Sequence, residues 1–315
     1  MPNLGASLRE RFDQEGVGKP KFFIVGAPKS ATTAMATSLA QHPDIFMSTP
    51  KEPHAFGEDL ARLRQRMEPA DYVELFRGAP ERMRGEASVW YLRSRVAADE
   101  IHEFCPDARI IVMLRNPVDM LHSLHAQSIK SGVEQITDFR KALVAEPERR
   151  SGHRVRPGVR IADQLLYSEA VAYAPQLHRY LDRFGVEAVK VILFDDIVAD
   201  PSRVMAETQE FLGVARLDKL ELLRVNERVR ARSILVQRML RSPRRLRSIS
   251  RALLPRETRV KLASAIVPRI ESVNLAPTRG QPLSFELRTE LTERFRPGVE
   301  QLAALIDRDL SAWLE

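Results

Sequence analysis

Residues 22–33 read FFIVGAPKSATT, and this stretch decides the fold. Phe22 to Val25 form a short apolar run that ends in Gly26 and Pro28. Such a run, with β-branched Ile24 and Val25, suits a strand buried on both faces. Small, hydroxylic and cationic residues follow, and Ala34, Met35, Ala36 and Leu39 then take up helical character. Strand, tight loop and helix in that order leave backbone N–H groups at a helix N-terminus, where an anion binds. The loop departs from the nucleotide-binding pattern G-x-x-x-x-G-K-[ST]. Ala31 stands five residues after Gly26, Thr32 holds the usual lysine place, and the cation, Lys29, comes early. The expectation is a cradle for one phosphate or sulfate, made by Lys29, the hydroxyls of Ser30, Thr32 and Thr33, and the loop amides around Ala31. Taken alone, the same residues also describe a strand-to-helix turn with a solvated lysine.

Further along, ARIIVML (108–114) is a second apolar run followed directly by RNPVDMLHSL. Asn116 suits a helix cap there and Pro117 a first helical turn, so the strand-loop-helix junction repeats. MRGEAS (83–88) and VKVILF (189–194) read as further strands, and HPDIFMSTPKEPHAF as extended or looped. Residues 161–184 have helical periodicity and stop at Gly185, and Pro201 opens another helix. Strands alternating with helices predict an α/β fold, a three-layer α/β/α arrangement around a mostly parallel sheet. Ligands of such sheets sit at the carboxyl ends of the strands, where both junctions lie. The expected organisation is an N-terminal tail over 1–20 and a single domain over 21–315. Within that domain 133–160 reads as a surface insertion and 226–270 as a basic helical subregion.

The chain has 315 residues, 44% hydrophobic and 29% charged, with a net charge of +7. From Arg228 to Lys261 it carries twelve Lys/Arg and one acid, Glu257. That segment reads as a solvated helical face, an acidic-acceptor surface or a membrane-surface contact. Without an aromatic residue for stacking it does not suggest nucleic acid. No apolar signal core occurs in the first 20 residues, and no run approaches the roughly 18 apolar residues of a membrane span. One cysteine, Cys105, leaves no intrachain disulfide. The expected location is the cytoplasm, with peripheral contact at the inner membrane surface as a variant. His122 and His125 share a helical face without a third ligand nearby, so no metal is expected.

Together these motifs resemble the sulfotransferases that use 3′-phosphoadenosine 5′-phosphosulfate (PAPS), with the likeness closest to bacterial and heparan-sulfate-type members. GAPKSATT is similar to the family's 5′-phosphosulfate loop, with Ala31 replacing a glycine. KEPHAF (51–56) resembles its acidic motif. Arg115, Asn116, Pro117 and Ser123 match its 3′-phosphate motif. GEASVWYL looks like the family's G-E-x-S-P-x-Y-L, with Val89 in place of proline. YAPQLHRYLDRFG, VKVILFDDI, FLGV and the closing RFRPGVEQLAALIDRDLSAWLE also look like bacterial members. The resemblance runs from 21 to 213 and returns at about 275–315.

The resemblance implies sulfuryl transfer from PAPS to a hydroxyl, less favourably an amine, of a small-molecule, lipid or carbohydrate acceptor, with release of PAP and no metal. It implies Glu52 as the base, with His54 as the rival base or the group that orients Glu52, and Lys29 as the cation at the leaving oxygen. Arg115 can hold a phosphate bidentately, and Ser123 can add a hydroxyl donor. A lysine common after the GE glutamate is Ala87 here, so a second cation is missing or comes from elsewhere. The loop that closes over the cofactor is left among Arg230, Arg232 and Arg279 with Gly280. Two rivals stand beside this reading: a P-loop-type kinase of a small metabolite, kept open by LFDD (193–196), and a non-catalytic protein that binds anionic polymers or a membrane surface.

Overall fold

The computed structural model describes residues 4–62, 66–80, 82–155, 162–217, 220, 222, 229–231, 275–277 and 283–315. Strands β1 (Phe22–Gly26), β2 (Ile45–Met47), β3 (Met83–Ala87), β4 (Arg109–Leu114) and β5 (Val189–Leu193) form one five-stranded sheet in the order β2-β3-β1-β4-β5. Every pairing in it is parallel. β1 lies at the centre because all five of its residues are buried, and successive side chains enter different cores. Phe23 and Val25 join Ile110, Val112 and Leu114 on one face. Phe22 and Ile24 join Ile111, Met113 and Ile192 on the other. That double burial is why the strands read as unbroken apolar runs. Gly85 of β3 is required by close packing, since a Cβ there would lie 2.1 Å from the Phe22 ring.

Helices cover both faces. In chain order they are α1 (Leu4–Gln14), α2 (Thr32–Leu39), α3 (Pro69–Glu74), α4 (Ala97–Phe104), α5 (Pro117–Lys130), α6 (Phe139–Val144), α7 (Glu146–Arg150), α8 (Tyr167–Ala170), α9 (Tyr173–Phe184), α10 (Phe194–Ala199), α11 (Pro201–Leu212) and α12 (Phe285–Ile306). A separate antiparallel pair joins β6 (Val229–Ala231) to β7 (Leu275–Pro277).

Three expectations need correction. Residues 4–14 are not part of a tail: they form α1, whose Leu8 and Phe12 are buried against Tyr72, Phe76 and Phe104. Residues 133–155 are not a loose surface insertion. Phe139 and Ala142 are buried there, and Arg149 donates to Glu134 at 2.9 Å with both side chains enclosed. The helix anticipated over 161–184 is interrupted, with α9 starting only at Tyr173. Pro175 supplies the reason, since a proline lacks the N–H and its ring clashes with the carbonyl four residues earlier. Most of the basic subregion, including Arg232 and Arg279, lies outside the described residues, as do 156–160.

Candidate active site

The carboxyl ends of β1, β3 and β4 meet at the middle of the sheet, where connections leave in opposite directions. From β1 the chain passes through Ala27, whose N–H donates to Met113 O at 2.6 Å, into the Lys29–Thr33 loop. Ser30 and Thr32 are buried, while Lys29, Ala31 and Thr33 are half-buried. Ala31 takes the N-cap position of α2 with φ 65° and ψ 15°, and among the described residues no side chain caps the helix. The first-turn amides and the macrodipole are thus left for an anion.

Of six non-glycine residues with positive φ among the described residues, four are Lys29, Ala31, Glu52 and His54. Left-handed backbone in residues with a Cβ is costly, and it concentrates where the surrounding structure holds a functional geometry. For Ala31 the cost has a direct test. Ala31→Gly relieves a left-handed alanine worth about 1–2 kcal/mol, partly offset by the freer unfolded glycine. A gain of about 0.5–1 kcal/mol in urea unfolding is the expected result; a loss of stability would contradict it.

The second junction is joined to the first. Arg115, directly after β4, donates from Nη1 to Lys29 O at 3.3 Å, and its guanidinium lies 4.5 Å over the Phe194 ring. Asn116 caps α5, accepting from Val118 N–H at 2.9 Å and Asp119 N–H at 3.3 Å. Its Nδ2 donates to Trp313 O at 3.2 Å, which fixes the closing turn of the chain beside this junction. Ser123 is half-buried further along α5.

The KEPHAF segment crosses the ends of β1 and β3. Lys51 Nζ lies 3.5 Å from Thr32 Oγ1 and 3.3 Å from Glu52 Oε1, and so links the anion loop to the carboxylate. Glu52 Oε2 is 3.4 Å from His54 Nε2. Glu52 is 22% exposed at its side chain and His54 1%, so the carboxylate meets incoming molecules and the imidazole lies behind it. The backbone under the pair is anchored step by step. Glu52 N–H donates to Ala87 O at 3.0 Å, His54 N–H to Ser88 Oγ at 3.1 Å, and Phe56 N–H to Tyr91 Oη at 3.2 Å. Gly57 N–H then donates to Glu100 Oε2 at 2.6 Å.

Both aspartates of LFDD are held by the C-terminal region. Asp195 accepts from Trp313 Nε1, and Asp196 accepts from Arg308 Nη2 at 2.8 Å. Arginine pairing holds the Asp196 carboxyl below its ordinary pKa against the opposing effect of burial, which is the largest single influence on it. His125 Nε2 sits 2.8 Å from Ile136 O, with its ring against Phe139 and Tyr167. Burial pushes its pKa down.

A family profile described as the sulfotransferase domain matches residues 19–232, more than half of the chain. The protein belongs to the sulfotransferase family. A heparan sulfate glucosamine 3-O-sulfotransferase from Homo sapiens is 28% identical over 221 residues, which cover 69% of this chain and 57% of the relative. A carbohydrate sulfotransferase from Homo sapiens is 34% identical over 147 residues, covering 33% of this chain and 26% of the relative. This chain therefore spans little more than half the length of the heparan sulfate relative. The crystal structure of a sulfotransferase from Alicyclobacillus acidocaldarius is 30% identical and covers 95% of this chain and 100% of that one, with a TM-score of 0.68.

Within this sulfotransferase fold, Lys29, Ser30, Ala31, Thr32, Thr33, Glu52, His54 and Arg115 gather at the carboxyl ends of the central strands. The residue missing from the expected set is Lys51. It stands beside the chain that hydrogen-bonds Ala87, the position where heparan-type members often carry a lysine. Its proximity to Glu52 was visible in sequence, but its reach to Thr32 depends on the loop crossing. For the late loop, Arg230 falls on β6, where only the backbone is described, paired with Ala276.

Proposed function

We propose that the protein transfers a sulfuryl group from PAPS to an acceptor hydroxyl, releasing PAP. The observation that carries this reading is Lys51, which touches the anion loop through Thr32 and the exposed carboxylate through Glu52. An anion cradle and a candidate base thereby share one cation. The donor set suits a phosphosulfate: hydroxyls, an uncapped helix start and cations gather at the cradle. Lys29, Ser30, Thr32, Thr33 and the amides around Ala31 hold the 5′ end, and Arg115 with Ser123 holds the 3′-phosphate. When bound, PAPS supplies the sulfuryl group and a phosphate leaving group.

The chain's own residues then do three things. Glu52 takes the proton of the acceptor hydroxyl as its oxygen bonds to sulfur. His54, enclosed behind Glu52, orients that carboxylate. Lys29 and Lys51 offset the charge that grows on the oxygen leaving sulfur. No metal enters this scheme. The names of the relatives support a carbohydrate as acceptor. One cysteine, Cys105, fits a cytoplasmic location, and among the described residues no helix is long and apolar enough to cross a membrane. The basic 228–261 segment, largely outside the described residues, is proposed to draw anionic acceptors.

PAP without metal is expected to raise the melting temperature by several degrees. A ligand at 100 times its dissociation constant adds about 2.7 kcal/mol. ATP with magnesium at the same concentration should give less than half that shift. Equal shifts would favour the kinase reading and overturn this one.

A further inference from the structure

Glu86 of β3 takes no part in the scheme above, yet its setting is unusual. Its side chain is 0% exposed. Ser88 Oγ donates to its Oε2 at 3.3 Å, and among the described residues Oε1 meets no hydrogen-bond partner. The Tyr91 hydroxyl lies beside the carboxyl, the charge of an ionised Glu86 is felt at Tyr72 of α3 and Tyr180 of α9, and the acting cation is Lys51. Burial pushes the Glu86 pKa up to about 8, because an anion there is cut off from bulk solvent.

The two hydroxyls beside Glu86 are the ones that grip the KEPHAF backbone. Ser88 Oγ accepts His54 N–H, and Tyr91 Oη accepts Phe56 N–H. A hydroxyl that accepts an amide proton must aim its own hydrogen elsewhere. For Ser88 that acceptor is Glu86, and Tyr91 is in reach of the same carboxyl. Orientation of both grips therefore ends on one side chain.

We propose that Glu86 is a positioning residue, acting through Ser88 and Tyr91 to hold Glu52 and His54 in their left-handed geometry. Its meaning for catalysis rests on the sulfotransferase reading; its grip on the loop does not. Ionised, Glu86 accepts from Ser88 and Tyr91 more strongly but competes with Glu52 for Lys51 and buries an anion beneath the loop. That burial cost favours opening of the loop as pH rises past about 8.

The full chain, Glu86→Gln, Glu86→Ala and Ser88→Ala test this. Hydrogen exchange of a peptide covering 51–58 should quicken about tenfold in Glu86→Ala and Ser88→Ala, the factor carried by one lost hydrogen bond. Glu86→Gln should stay near the parent. Above pH 8 the parent should exchange faster than the chemical rate predicts, and Glu86→Gln should not. Stability follows the same sign: the folded pKa of about 8 exceeds the ordinary 4.5, so the contribution is present below 4.5 and lost as pH rises through 8. The parent melting temperature should fall across that window, and that of Glu86→Gln should fall less.

PAP release from PAPS, with water as the acceptor, adds the catalytic readout. Glu86→Ala should lower kcat about tenfold with KM for PAPS within about threefold, and Glu86→Gln should restore kcat and lose the alkaline decline. Parent-like exchange over 51–58 in Glu86→Ala would overturn the proposal. So would an unchanged alkaline limb in Glu86→Gln. If Glu86→Ala does not fold, Ser88→Ala and the pH arm of Glu86→Gln decide. A parent that fails to bind PAP defeats the sulfotransferase reading, while exchange still decides the grip.

Discussion

Glu52→Gln is expected to slow sulfuryl transfer by roughly 10²–10⁴-fold, about 3–5 kcal/mol of barrier, with PAP affinity within about threefold of the parent. Glutamine keeps the length of the side chain, and its amide oxygen can still accept from Lys51, which lies 3.3 Å from Glu52 Oε1. It cannot take a proton from an acceptor hydroxyl. Initial rates of PAP formation with saturating PAPS and a heparan-type oligosaccharide pool measure the effect. Turnover within about threefold of the parent would remove Glu52 from the role of base.

The geometry separates Glu52 from its neighbours in the same assay. His54 is 1% exposed and touches Glu52 Oε2 from behind. His54→Ala should therefore cost less than Glu52→Gln, since it frees the carboxylate without deleting it. A larger loss from His54→Ala would make the imidazole the base. Lys29→Ala should lose both turnover and PAP affinity, because its charge acts on the bound anion before and during transfer.

Much of the architecture around the site is legible in the sequence alone. Apolar runs ending in Gly26-Ala-Pro28 and Arg115-Asn-Pro117 mark two strand ends, since a chain buried on both faces has no polar residue until it leaves the sheet. Asn116 as a cap and Gly185 as a helix stop followed from local chemistry, and both hold. The first helix was missed although Leu4, Leu8 and Phe12 repeat every four residues. A polar average over the first 20 residues hid a narrow apolar stripe. The Glu134–Arg149 pair could not be read, because charges in a Pro/Gly-punctuated stretch usually mean solvent.

Contacts between distant segments were the part sequence withheld. Lys51 reaches Thr32 across 19 residues, and Ser88 receives His54 across 34. Neither spacing has a period. Both arise because β3 lies beside β1, which sets the KEPHAF loop across the two strand ends. The departures from the family pattern acquire physical meaning in the same way. Ala31 adopts the left-handed φ of 65° that a glycine would take freely, so the backbone shape survives the substitution at a cost in strain.

Arg115→Ala is expected to weaken PAP binding by about 2–4 kcal/mol, or roughly 30- to 1000-fold, by isothermal titration. Three things leave with the guanidinium. One is the charge proposed to meet the 3′-phosphate. Another is the 4.5 Å stack on Phe194, which holds the planar group at the strand end. The third is the hydrogen bond to Lys29 O, which joins the two junctions, so the 5′ loop loses a support as well. Arg115→Lys should recover only part of the loss, since an ammonium restores charge without the fork or the flat face. Ser123→Ala should cost about 0.5–1.5 kcal/mol, the worth of one hydrogen bond. The order Arg115→Ala, then Arg115→Lys, then Ser123→Ala follows from those three contributions. PAP affinity for Arg115→Ala within about threefold of the parent would move the 3′-phosphate away from β4 and α5.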